Sequence, residues 1–291
     1  KGTNFAGLGS NYSLDVTPFV QGGVTVTVAA AAARDRAGNW NSNSAPFVRI
    51  YDTVEPTPVM AWWDSSLKTT NSPIMMTVTF DEYVTNFTAS SLRVTNGIVS
   101  AVVTNDVVTY YGIQVSSNFT CSISPVDKGP VRVHLDAGAA YDIAGNPCQA
   151  ALKSLTKNYE FPAPGGLQAS DGTHADRVRL NWTGIPGTFD FQVIRSLYAD
   201  AVFGEVIATV GTTNYDDLSA APGTLSYYWV RAVSTGGGFG PESNPDTGWR
   251  NLAPPANVAA SLGTFTNLIH IGWSASEGAT GYRVYRSTVS N

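Results

Sequence analysis

Val131-Arg132-Val133-His134-Leu135-Asp136-Ala137-Gly138-Ala139-Ala140-Tyr141-Asp142-Ile143-Ala144-Gly145-Asn146 is the stretch whose reading decides the fold. Its first five residues alternate, with Val131, Val133 and Leu135 apolar and Arg132 and His134 polar. A period of two with one apolar face is a half-buried strand. The stretch closes on Asp-x-Ala-Gly-Asn, a turn signature. There a short carboxylate accepts backbone N–H groups and glycine takes a left-handed conformation.

Moving outward, the pattern is found to recur. A shift of 107 residues lays Asn11–Asn39 on Asn118–Asn146 without a gap, with 12 of 29 positions identical. Pro18/Pro125, Gly22/Gly129, Val24/Val131, Val26/Val133 and the Asp, Ala, Gly and Asn of the Asp35/Asp142 turn are among the matches. A second gapless shift, of 91 residues, lays Ala163–Ser196 on Pro254–Ser287. It aligns Trp182 with Trp273, Gly187 with Gly278, Val193 with Val284 and Arg195 with Arg286. Periods this long suit whole β-sandwiches rather than short solenoid units.

Composition agrees. The chain has 291 residues, room for two to three domains of roughly 100–150 residues. Charged residues are 13% of it, about half the ordinary share, and there are 28 Gly and 16 Pro. Further alternating runs fall at Tyr12–Thr17, Met76–Phe80 and Val178–Trp182, with turn residues such as Gln21-Gly22-Gly23 and Lys128-Gly129-Pro130 between runs. No run of ten residues carries a helical stripe. The reading is an all-β chain of tandem β-sandwiches arranged end to end.

The first repeat resembles the bacterial Ig-like domains of large surface proteins. Ser72-Pro73-Ile74 leads into Val78-Thr79-Phe80-Asp81-Glu82-Tyr83-Val84, then Phe87-Thr88-Ala89-Ser90 and Val94-Thr95-Asn96-Gly97, and the Asp142 turn closes the module. The second repeat is similar to fibronectin type III. Trp182 and Trp273 stand for its core tryptophan and Tyr227–Val233 for its sixth strand. Ser226 falls where that family's corner tyrosine would align, so the tyrosine's hydrogen bond is absent or moved. The expected modules are the C-terminal half of an Ig-like domain at 1–54, a complete one at 55–161, a fibronectin type III domain at 162–252, and the start of another at 253–291. The short segments between them contain proline, as in Val54-Glu55-Pro56-Thr57-Pro58, which restricts φ and extends the chain. A half sandwich exposes an apolar face and open strand edges. The terminal modules therefore read as cut from a longer protein, or as completed by strands of another copy.

The chemistry expected is sparse. A net charge of −5 and no Lys/Arg run argue against nucleic acid and anionic membrane as partners. The longest apolar stretch, Val24–Ala33, is about half a bilayer span, so no membrane insertion is expected. His134, His174 and His270 fall in separate modules, and no zinc-protease, nucleophile-elbow or phosphate-loop motif occurs. No catalytic site and no bound cofactor is expected, and the resemblance implies an extracellular or cell-surface setting. Calcium is the one metal considered, because hard cations take carboxylate oxygens. Its candidate ligands are Asp35, Asp52, Asp64 and Asp142, with Glu55, Asp81 and Glu82 near the first junction. Glycans and cell-surface proteins are the partners considered beside the neighbouring modules, with adjacent Trp62 and Trp63 pointing one ring to each face of a strand. Cys121 and Cys148 share a module and leave a disulfide or two buried thiols open. The function expected is a structural spacer or stalk, the alternatives being an adhesive or glycan-binding segment or modules flanking a polysaccharide-active hydrolase.

Overall fold

A computed structural model describes residues 2–110, 112–185 and 190–288, and Gly187 of the second repeat lies outside them. The described residues are strand and loop, with two single-turn 3-10 segments at Ala89–Ser91 and Ala201–Phe203. The chain divides into two compact units. The first holds residues 1–67, 73–124 and 131–157, and the second residues 68–72, 125–130 and 158–291.

The module after the first junction is a two-sheet sandwich. One sheet runs in the order Val108–Tyr110, Ile113–Pro125, Ile74–Val84, Pro58–Trp62, with Gly97–Asn105 also paired to Ile113–Pro125. The other runs Lys68–Thr69, Leu155–Tyr159, Gly129–Leu135, Leu92–Thr95. The alternation read from sequence is the alternation of burial. Ile74, Met76, Val78 and Phe80 face inward from one sheet, and Val131, Val133 and Leu135 from the other. Each such side chain contributes about 1.5–3 kcal/mol on leaving water. Phe80, Phe87 and Phe119 meet in tilted and edge-on contacts, with the rings of Phe87 and Phe119 centred 4.6 Å apart. Cys121 and Cys148 are buried free thiols, and burial pushes the Cys121 thiol up to about 11. The open choice between disulfide and thiol thus falls on the thiol side.

The later whole module pairs a three-stranded sheet, Gly165–Ala169, Val178–Thr183, Asn214–Asp217, with a five-stranded one. The latter runs Glu205–Val210, Asp190–Ser196, Ser226–Val233, Phe239–Glu242, with Asp246–Gly248 also on Ser226–Val233. Trp182 is buried edge-on against Phe191, at a ring separation of 5.7 Å. The corner hydroxyl has moved rather than vanished. Ser226 is buried, and Tyr228, two residues on and so on the same face, donates its hydroxyl to buried Asp217 at 3.0 Å. Burial alone would raise the Asp217 carboxyl. Hydrogen bonds from Ser219 and the Arg195 guanidinium outweigh it and hold the carboxyl below its ordinary value.

The flanking segments form strands without cores. Gly2–Leu8 pairs with Asn11–Val16, Gly22–Val26 with Phe47–Tyr51, and Ala256–Ala260 with Ile271–Ser274. Each is a two-stranded sheet, the size that cannot bury a face of its own.

Candidate functional site

Among the described residues, the carboxylates that gather are Asp52, Glu82 and Asp142, with one oxygen from each lying within 4.8 Å of the others. Local structure explains the meeting. The Asp142 turn is built as its sequence demands. Asp142 Oδ1 accepts from the N–H groups of Ala144, Gly145 and Asn146 at 2.7–2.8 Å, and Oδ2 from Asn146 Nδ2 at 2.8 Å. Gly145 sits at φ +97°, inside the region that favours glycine. Backbone bonds between Thr85 and Tyr141 pin this turn beside the end of strand Ile74–Val84, which carries Glu82. Asn146 Nδ2 also donates to the Asp52 carbonyl at 3.0 Å, drawing the junction segment in. Pro56 and Pro58 are buried there, and Asp81 Oδ1 accepts from Thr57 N at 2.7 Å.

Electrostatics follow from this crowding. Burial pushes the Glu82 carboxyl up to about 7, and the negative charges of Asp142, Asp52 and Asp81 push the same way. A proton or a cation on this cluster relieves both causes. Asp142 Oδ1 is saturated by three donors, so only Oδ2 retains a free lone pair.

Two of the four expected ligands lie elsewhere. Asp64 accepts from Lys157 Nζ at 2.7 Å, and Ser66 bonds to the same oxygen. The Lys157 ammonium is wholly buried, donates also to the Asp64 carbonyl at 3.0 Å, and lies 5.6 Å from the Trp62 ring. It needs a carboxylate, and its hydrogen bond holds Asp64 down at about 2. Asp35 caps its own turn, accepting from Asn39 N at 2.8 Å and Asn39 Nδ2 at 2.9 Å, bonds that hold its carboxyl below the ordinary value. The Asp-x-Ala-Gly-Asn motif is therefore a turn in both copies, and a carboxylate cluster in one. Glu82 belongs in the group and carries its largest perturbation. The signal for it was the strand alternation, because Phe80, Glu82 and Val84 share the inward face.

The three histidines do not meet. His134 is half-buried beside Ser154 at 3.0 Å and Asp136 at 3.2 Å. His174 lies in the loop before strand Val178–Thr183, and His270 is exposed. Trp62, the last residue of strand Pro58–Trp62, is half-buried, and Trp63, just beyond the strand, is exposed. No helix among the described residues is long and apolar enough to cross a membrane.

The profile of the bacterial Ig-like domain family matches residues 52–159. No curated protein sequence matches the chain. Among solved structures, it is similar to a Fn3-like protein from Clostridium thermocellum at 31% identity, covering 32% of this chain and 96% of that one, with a TM-score of 0.28. A two-domain fibronectin type III segment of chicken tenascin shares 15% identity over 67% of this chain and 98% of that one, TM-score 0.36. Pectate lyase Pel3 from Pectobacterium carotovorum shares 24% identity over 30% of this chain and only 27% of its own length, TM-score 0.26.

Proposed function

We propose, from the premise that this chain carries a bacterial Ig-like domain at residues 52–159, that it is a non-catalytic spacer of a multidomain bacterial protein displayed outside the cell. The observation that carries this reading is the repetition of self-contained sandwiches. Each whole module closes a core of its own around inward-facing strand residues. A module that buries its own core can be added or removed without unfolding its neighbours, which is what a spacer requires. The test is replacement. In the parent protein, residues 55–252 exchanged for two unrelated sandwich modules of equal length leave the binding or enzymatic activity of the rest intact. Loss of that activity with normal folding and display overturns the reading. It would favour an adhesive or glycan-binding segment, or modules that serve a polysaccharide-active hydrolase.

A second reading concerns the junction and rests on the 4.8 Å convergence of Asp52, Glu82 and Asp142. Calcium–oxygen bonds of about 2.3–2.6 Å allow two ligands of one ion to lie up to about 5 Å apart. One oxygen from each carboxylate fits that span, with water or backbone carbonyls completing the shell. Bound there, calcium would cross-link the segment around Asp52 to the strand end at Glu82 and the Asp142 turn. The expected result is a higher melting temperature in millimolar calcium than in chelator, abolished by Glu82→Gln with Asp52→Asn. Equal melting temperatures remove this reading and leave the spacer reading untouched.

A further inference from the structure

The fibronectin-like module holds a cleft of about 590 Å³, well within the range of ligand sites. Its lining divides by chemistry. Tyr198 and Phe203 stand at the mouth, 66% and 69% exposed, with ring centroids 5.8 Å apart and edge-on. Ser196 and Ser226 line it from buried positions, and Thr224 and Glu205 add a hydroxyl and a carboxylate.

The aromatic mouth is held in place. Ser196 Oγ accepts from Tyr198 N at 3.0 Å, and Asp200 Oδ1 from Val202 N at 3.0 Å, capping the turn Ala201–Phe203. Gly204 then brings the loop down onto its own strand, where an added Cβ would fall 2.5 Å from Ile194 Cγ2. Exposed rings fixed by the backbone lose little entropy on binding.

The one guanidinium in the lining is already committed. Arg195 donates to Asp217 Oδ2 and Ser219 Oγ at 2.9 Å each and to Glu205 Oε1 at 2.5 Å. Its charge is met by Glu205 in the lining and by Asp217 buried beneath it, so the lining offers no uncommitted cation to an anionic ligand. Aromatic faces beside hydroxyls and a carboxylate match a ring with apolar C–H faces and many neutral hydroxyls. We propose that this cleft binds a neutral polysaccharide, with Tyr198 and Phe203 as stacking residues and Ser226, Thr224 and Glu205 as hydrogen-bonding ones. This goes beyond the spacer reading: the exchange of residues 55–252 reads the activity of the rest of the parent protein, and the test of the cleft reads this chain alone.

The test uses the whole chain in affinity electrophoresis through gels containing a neutral polysaccharide (β-glucan, xylan or galactomannan) or acidic polygalacturonate. At least one neutral gel should retard the chain, and polygalacturonate should not. Tyr198→Ala and Phe203→Ala should each weaken retardation at least about tenfold, with melting temperature unchanged because both rings lie outside the core. Trp63→Ala, an exposed aromatic of the other whole module, should change nothing. The proposal is overturned if no neutral gel retards the chain, if the acidic gel retards it more, or if the Tyr198 and Phe203 variants migrate as the parent does.

Discussion

Residues 11–39 and 118–146 carry the same pattern and meet different fates. Phe119 is 3% exposed and its counterpart Tyr12 is 63% exposed, while Ile123 is fully buried and Val16 is 38% exposed. The backbone does not distinguish them, since both runs are strands and both end in the same aspartate turn. The difference is the opposing sheet. Residues 118–123 pair with strand Ile74–Val84 and face Val131, Val133 and Leu135 across a core. Among the described residues, residues 11–16 pair only with Gly2–Leu8. The second repeat shows the same contrast. Trp182 over Phe191 and Trp273 beside Tyr282 keep nearly the same ring pair, 5.7 and 5.5 Å apart, yet Val193 is buried and Val284 exposed. Periodicity therefore fixes which side chains share a face, and only a second layer makes that face a core.

The largest effect that tests this contrast is truncation at matched positions. Phe119→Ala should destabilise the 55–161 module by about 3–5 kcal/mol, the ordinary cost of emptying a buried aromatic site. Tyr12→Ala should leave the same module within about 0.5 kcal/mol of the parent, as surface changes do. Urea unfolding followed by hydrogen exchange of residues 113–135 reads that module alone. A comparable loss in both variants would mean that the first segment is packed in solution.

The matched turns give a smaller effect. Asp142→Ala removes a buried carboxylate that accepts from three part-buried N–H groups, a cost of about 1–3 kcal/mol. Asp35→Ala frees groups that water reaches, so the urea midpoint of the 55–161 module should not move. Equal midpoint shifts would show that the turn itself, rather than its burial, sets the cost.

This contrast also marks what sequence alone could carry. The strands around Val131 and Val178, the inward Trp182 and the aspartate turns were legible because each follows from a local pattern of two to five residues. The carboxylate cluster was only half legible. Asp52 and Asp142 are 90 residues apart in the chain, and the bonds that unite them run through Asn146, a residue with no distinctive spacing to Asp52. Asp64 was misplaced because its partner, buried Lys157, looks in sequence like any solvated lysine of a polar strand. The Tyr228–Asp217 bond was missed because the family's corner position was occupied by Ser226, and a two-residue displacement keeps the inward face.

The smallest effect is the most specific to the junction, since the Asp35 turn has no equivalent of Glu82. With its carboxyl near 7 in the folded chain against an ordinary 4.5, Glu82 keeps its proton on folding across that interval while the unfolded chain has lost it. The unfolded state binds fewer protons there, so stability is full below about pH 4.5, falls as pH rises toward 7, and is level above. The full interval corresponds to about 3 kcal/mol. Water reaches part of this carboxyl, so a fall of about 1–2 kcal/mol is expected. In chelator, urea unfolding of the 55–161 module at pH 5 and pH 8 should show that fall, and Glu82→Gln should flatten it, because an amide carries no charge to desolvate. Calcium at pH 8 should restore stability to the parent and not to the variant. A fall that persists in Glu82→Gln would assign the proton to another group and leave the junction aspartates without their titrating partner.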